Sequence, residues 1–132
     1  MRTPDEAGLS IQVIKVCVDA NDVPALARFW GDLLGYRTRE STSNATWLHL
    51  EPPSPNLPPL TIQPVPEGKA GKNRLHLDVF VTDPDGWIAR AESLGATKLW
   101  SSEDPDDWFQ VLADPEGNEF CFCRLPASLA GS

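Results

Sequence analysis

Two stretches of this chain carry the same order of signals, and that repeat limits the fold more than any other feature. From Arg74 to Asp83 an alternating apolar strand runs straight into a helix start, and it holds His76, one of only two histidines. From Val13 to Asp22 the layout recurs, with Lys15 where the second copy has His76. Lys15 and His76 stand at equal distances before their helix caps Asp22 and Asp83, and each helix pattern stops at a glycine, Gly35 or Gly95. An internal duplication is the economical explanation.

The repeat extends beyond strand and helix. In the first copy Ile11–Val18 alternates as a strand, with Ile14, Val16 and Val18 on one face and Val13, Lys15 and Cys17 on the other. Asp22 caps a helix whose Leu26, Phe29, Trp30, Leu33 and Leu34 recur at helical spacing, with Pro24 in the first turn. Strand signals follow at Tyr36–Arg39, Ala45–Leu50 and Leu60–Gln63, the last two separated by the proline-rich loop Glu51–Pro59. After a linker at Pro64–Asn73 the order restarts. A strand at Leu75–Val81 leads to a helix through Trp87, Ile88, Ala91 and Leu94, then to strands at Thr97–Trp100, Trp108–Leu112 and Glu119–Cys123. The sequence predicts an α+β fold: two tandem βαβββ modules, at about 10–66 and 74–125, in a single domain over 1–132. Each module lays a helix on one sheet face, leaving a curved mixed sheet around a cleft. Residues 1–9 and the small-residue tail from Pro126 are predicted to be loose.

Charge narrows the partners. A formal net charge of -8 leaves no clustered Lys and Arg to neutralise phosphates, which excludes nucleic acid and disfavours anionic membranes. No apolar run approaches the roughly 18 residues of a spanning helix, and the first residues lack a signal-peptide segment. A soluble, cytoplasmic protein is expected. The three cysteines are read as reduced, because Cys121 and Cys123 lie two apart on one strand, a poor geometry for bonding to each other.

Asp22 followed by Phe29-Trp30 and Leu34-Gly35, His76 followed by Asp83, and the turn Asp114-Pro115-Glu116-Gly117-Asn118 before a final strand together resemble the vicinal oxygen chelate superfamily. That superfamily includes glyoxalase I, extradiol dioxygenases, fosfomycin-resistance enzymes and bleomycin-resistance proteins. The chain is most similar to its glyoxalase-like subgroup, over about Ile11 to Arg124. The resemblance implies a homodimer and, in metal-dependent members, ligands on the first and last strand of each module. Those positions fall on Lys15, Gln63, His76 and Cys121, where lysine replaces the usual His or Gln and cysteine the usual Glu. An ammonium repels a divalent ion. Glu119 shares the strand face of Cys121, but two residues of strand rise displace it by roughly 7 Å. No standard metal site and no cofactor are therefore expected.

The leading expectation is a small organic ligand held in the cleft without a metal, and the alternative is a lyase, isomerase or dioxygenase of the same superfamily. For catalysis the candidates are His76, Lys15 and Glu119. His76 can act as a general acid or base, or it is a polar residue bonding across the sheet. Lys15 either holds an anionic group or pairs with Asp78 or Glu119. For ligand binding the candidates are Trp47, His49, Gln63, Asp78, Cys121 and Trp108. Cys121 and Cys123 serve either as ligands or nucleophiles, or as small core fillers. Trp30 and Trp87, on helix stripes, are assigned to packing.

Overall fold

The structure is a computed structural model that describes residues 2–39 and 46–126. Its elements run β1 (Val16–Ala20), α1 (Val23–Leu34), β2 (Arg37–Arg39), β3 (Leu48–Glu51) and β4 (Leu60–Pro64), then β5 (Leu77–Val81), α2 (Pro84–Ser93), β6 (Thr97–Ser101), β7 (Phe109–Ala113) and β8 (Glu119–Arg124). The βαβββ order occurs twice. The strands form two four-stranded mixed sheets, ordered β1-β4-β3-β2 and β5-β8-β7-β6. Each sheet has one parallel pair, β1 with β4 and β5 with β8. Ala45, the predicted start of the third strand, lies outside the described residues, as does the tail after Pro126.

The first strand is shorter than its alternation suggests, for a backbone reason. Parallel pairing starts at Val16 opposite Leu60, and the Val16 amide donates to the carbonyl of Pro59 at 3.0 Å. Upstream of Leu60 the partner is Pro58-Pro59, which has no amide hydrogens to continue the ladder. Ile11, Val13 and Ile14 are consequently exposed coil. β5 likewise opens at Leu77 opposite Phe120, because the chain just before β8 is occupied by the turn at Asp114–Asn118. The lead-in is tied into a turn by the Leu9 amide, which donates to the Pro4 carbonyl at 2.8 Å.

Both helices are capped as their sequences dictate. Asp22 and Asp83 each accept from the amide three residues on, at 3.1 Å. Gly35 ends α1 at φ 76°, a left-handed conformation that costs glycine no Cβ clash. At Gly86 a Cβ would meet the Asp83 carboxylate, which would have to swing aside to admit it.

One core serves both modules. Trp30 and Phe29 of α1 meet Phe120 of β8 edge to face, with centroids 4.8 and 6.3 Å apart, and Phe120 in turn meets Phe122. Burying each such aromatic side chain stabilises the fold by about 1.5–3 kcal/mol. Module 2 also holds both ends of α1. Glu116 accepts from the amides of Asn21 and Asp22 at 2.5 and 2.8 Å, and Arg90 donates to the carbonyls of Leu33 and Asp32. These are a carboxylate at the positive end of the helix dipole and a guanidinium at its negative end, charges that α1 does not supply in its own first and last turns.

Candidate functional site

Strand alternation divides each sheet into a face against the helices and a face away from them. In the second sheet Val79 and Val81 of β5 and Phe120 and Phe122 of β8 join the core. His76, Asp78 and Phe80 therefore share the opposite face with Glu119, Cys121 and Cys123. The register places these residues in rows. Asp78 is level with Cys121, Cys121 with Val111, and Val111 with Trp100; Phe80 is level with Cys123, and Cys123 with Phe109. The central strands β8 and β7 contribute the small side chains Cys121, Cys123 and Val111, while the outer strands β5 and β6 carry Phe80 and Trp100. A low middle between tall edges leaves a cavity of about 340 Å³. Lys72, Asn73 and Asp107 complete its rim.

A second cavity of about 310 Å³ adjoins it between the modules, where Cys17 and Asp19 of β1 face Asn73, His76 and Glu119. His76 and Glu119 stand at the junction of the two. His76 Nε2 lies 3.1 Å from Asp78 Oδ1, and both side chains are about half exposed, 48% each. Burial, then the nearby Asp78 carboxylate, pushes the Cys121 thiol up to about 12, and the same two causes with Asp107 push Cys123 to about 11. Both thiols are protonated at neutral pH, and all three cysteines are free.

Of the residues singled out from sequence, the structure brings His76, Asp78, Glu119 and Cys121 to this cavity. It places the others elsewhere. Lys15 precedes β1, is exposed, and makes no ion pair with Asp78 or Glu119; off the strand and in solvent, its ammonium needs no partner. His49 and Gln63 lie on the corresponding face of the first sheet, where His49 Nδ1 meets Thr61 Oγ1 at 3.1 Å and Gln63 Nε2 donates to Asp19 Oδ1 at 2.5 Å. Trp47 is exposed just before β3. Trp108 packs at the core, with the Arg124 guanidinium 5.1 Å from its ring centre.

Sequence reasoning missed Phe80, Trp100, Phe109 and Asp107. Phe80 and Phe109 were available from parity, two residues along from Asp78 and Val111. Trp100 was not, because a bulge between Lys98 and Trp100 shifts the register of β6.

The divalent ion common in the resembling superfamily can be tested against these donors. The inherited four-point set does not assemble: Lys15 lies outside, and Gln63 is engaged by Asp19. Three groups do converge, His76, Asp78 and Cys121, with ligand atoms all within 4.8 Å of one another. An imidazole nitrogen, a carboxylate oxygen and a sulfur form a zinc-type donor set with a position left open.

Paired βαβββ modules, each with a helix on one sheet face and a polar cavity on the other, define the glyoxalase fold of the vicinal oxygen chelate superfamily. The family model for the glyoxalase-like domain matches residues 15–123, and the chain belongs to that family. Solved structures agree on the fold. A glyoxalase/bleomycin resistance protein/dioxygenase family enzyme from Burkholderia phytofirmans PsJN superposes with a TM-score of 0.68 at 20% identity, covering 83% of this chain and 95% of its own. The fosfomycin resistance protein FosX from Mesorhizobium loti gives 0.64 at 12% identity, covering 90% and 94%. A glyoxalase-related enzyme from Fulvimarina pelagi gives 0.66 at 19%, covering 86% and 88%. No curated protein sequence matches the chain.

Proposed function

We propose that this protein is a homodimeric small-molecule-binding member of the glyoxalase-like family that takes an organic ligand in the second-sheet cavity, without the superfamily's four-point divalent site. The observation that carries this reading is the cavity itself. It is of ligand size, its floor is made of small apolar groups and protonated thiols, and the exposed aromatic side chains of Phe80 and Trp100, with the partly buried Phe109, stand around it. Binding requires no more than that shape and a few polar anchors, here His76, Asp78 and Glu119. A fragment screen followed by backbone NMR checks it: hits should shift the amides of Cys121, Cys123 and Val111. Hits confined to other surfaces would remove the cavity from the function.

The convergence of His76, Asp78 and Cys121 favours a second reading, an enzyme. A carboxylate, Asp78, lies 3.1 Å from the His76 imidazole, an arrangement that suits a general base, and the same trio is where a metal ion would sit and polarise a bound oxygen. Elemental analysis of protein purified without chelator separates the two. Metal well below one equivalent is expected, and tight, stoichiometric zinc, nickel, manganese or iron would replace the first reading with the second. For a metal-free enzyme, His76→Ala would abolish turnover with the fold intact.

A further inference from the structure

The proposed cavity combines two kinds of wall that are unrelated by any need of the fold. Its outer strands hold aromatic rings in solvent: Phe80 is 56% exposed and Trp100 57%. Trp100 is held in place by Phe109, with ring centres 5.5 Å apart and planes at 75°. Between them the small floor leaves a slot that a planar group can enter, and placing a ring there would remove apolar surface of both walls from water. Among the described residues, Phe80 and Trp100 each keep more than half of their surface in solvent.

The polar groups of the same cavity are unbalanced in charge. Asp78, Glu119 and Asp107 supply three carboxylates, and Lys72 is the single ammonium on the rim. His76 is the remaining titratable nitrogen, and its Nε2 already lies 3.1 Å from Asp78 Oδ1. An anionic ligand would be brought against three like charges in a partly desolvated slot, whereas a cation would be attracted both by the carboxylates and by the aromatic faces. The net charge of -8 works in the same direction at longer range. A metal ion would satisfy the carboxylates but would make no use of Phe80, Trp100 and Phe109.

We infer that the ligand of this cavity is a ring-bearing organic cation, its ring between Phe80 and the Trp100–Phe109 pair and its positive charge against Asp78 and Glu119. The inference rests on the cavity being the binding site. Three probes with one shared frame test it by titration calorimetry on the intact protein: naphthylmethylammonium, naphthylmethanol and naphthoate. The ammonium should bind about tenfold or more tighter than the alcohol, and naphthoate weakest, with the preference shrinking as salt is raised. In an Asp78→Asn, Glu119→Gln double variant the ammonium and the alcohol should bind alike. In Trp100→Ala all affinities should fall while the charge order stays. Both variants alter exposed or half-exposed side chains, and circular dichroism verifies that they fold. If naphthoate binds as well as the ammonium, or the cation preference survives in the double variant, the charge assignment is overturned and the cavity remains a binding site. If none of the three binds, the cavity assignment falls with it.

Discussion

Single residues of the Asp114–Asn118 turn have a role that their position before the last strand does not announce. Asp114 is buried and accepts four hydrogen bonds, from Trp30 Nε1 at 3.1 Å, from the side chain and amide of Asn118 at 2.9 Å each, and from the Glu116 amide at 2.9 Å. Burial pushes its carboxyl up, and those bonds oppose the rise. Asp114→Asn would turn one acceptor oxygen into a donor facing the Trp30 indole and the Asn118 amide group, and should cost about 2–4 kcal/mol by urea denaturation. Cys121 makes a different prediction. Burial, then the Asp78 carboxylate, pushes its thiol up to about 12 in the folded chain from an ordinary 9.0. Above the ordinary value the unfolded chain loses a proton that the folded chain keeps, so this group's contribution, complete below that value, disappears as pH rises toward the folded one. Stability should decline as pH rises above about 9, the fall continuing toward about 12, and Cys121→Ala should flatten that decline. At neutral pH, mass spectrometry after brief alkylation should find exposed Cys17 modified ahead of buried Cys121 and Cys123.

At the scale of elements, α1 is held at both ends by the other module. Glu116 stands at its N-terminus beside the Asp22 cap and Arg90 at its C-terminus, so a helix with no basic last turn gains that charge through space and its N-terminus gains a second carboxylate. Glu116→Ala frees two helix-terminal amides to water and loses a charge-assisted pair, with an expected destabilisation of about 1–2 kcal/mol. Combining it with Arg90→Ala should cost the sum of the separate losses, because the two contacts lie at opposite ends of α1 and share no partner. The strands make the cavity by the same logic of position: Cys121, Cys123 and Val111 of inner β8 and β7 form a low floor, and Phe80 and Trp100 of outer β5 and β6, with Phe109 at one end of β7, stand around it. Cys121→Phe would fill the floor, and it should abolish binding of the ammonium probe, measured by calorimetry, while leaving a folded protein.

For the whole molecule, the core shared by Trp30, Phe120 and Phe122 makes the modules mutually dependent. Calorimetry should record one cooperative unfolding transition, with equal calorimetric and van't Hoff enthalpies, and two resolved transitions would contradict a common core. Light scattering tests the proposed homodimer. Among the described helices none is long and apolar enough to cross a membrane.

The sequence by itself determined the duplicated βαβββ order, the helix caps and stops, and the faces that enter the core, because strand parity, capping chemistry and helical spacing are local properties of neighbouring residues. It also placed His76, Asp78, Glu119 and Cys121 on one strand face. Only the tertiary structure decided that β1 starts after Lys15, since that depends on prolines in the partner strand about 45 residues away. Only it decided that His49 and Gln63 sit on the other sheet and that Trp100 turns toward the cavity across a bulge. Which side chains share a cavity is fixed by register and by how two modules dock on one core, and neither is written in the alternation of a single strand.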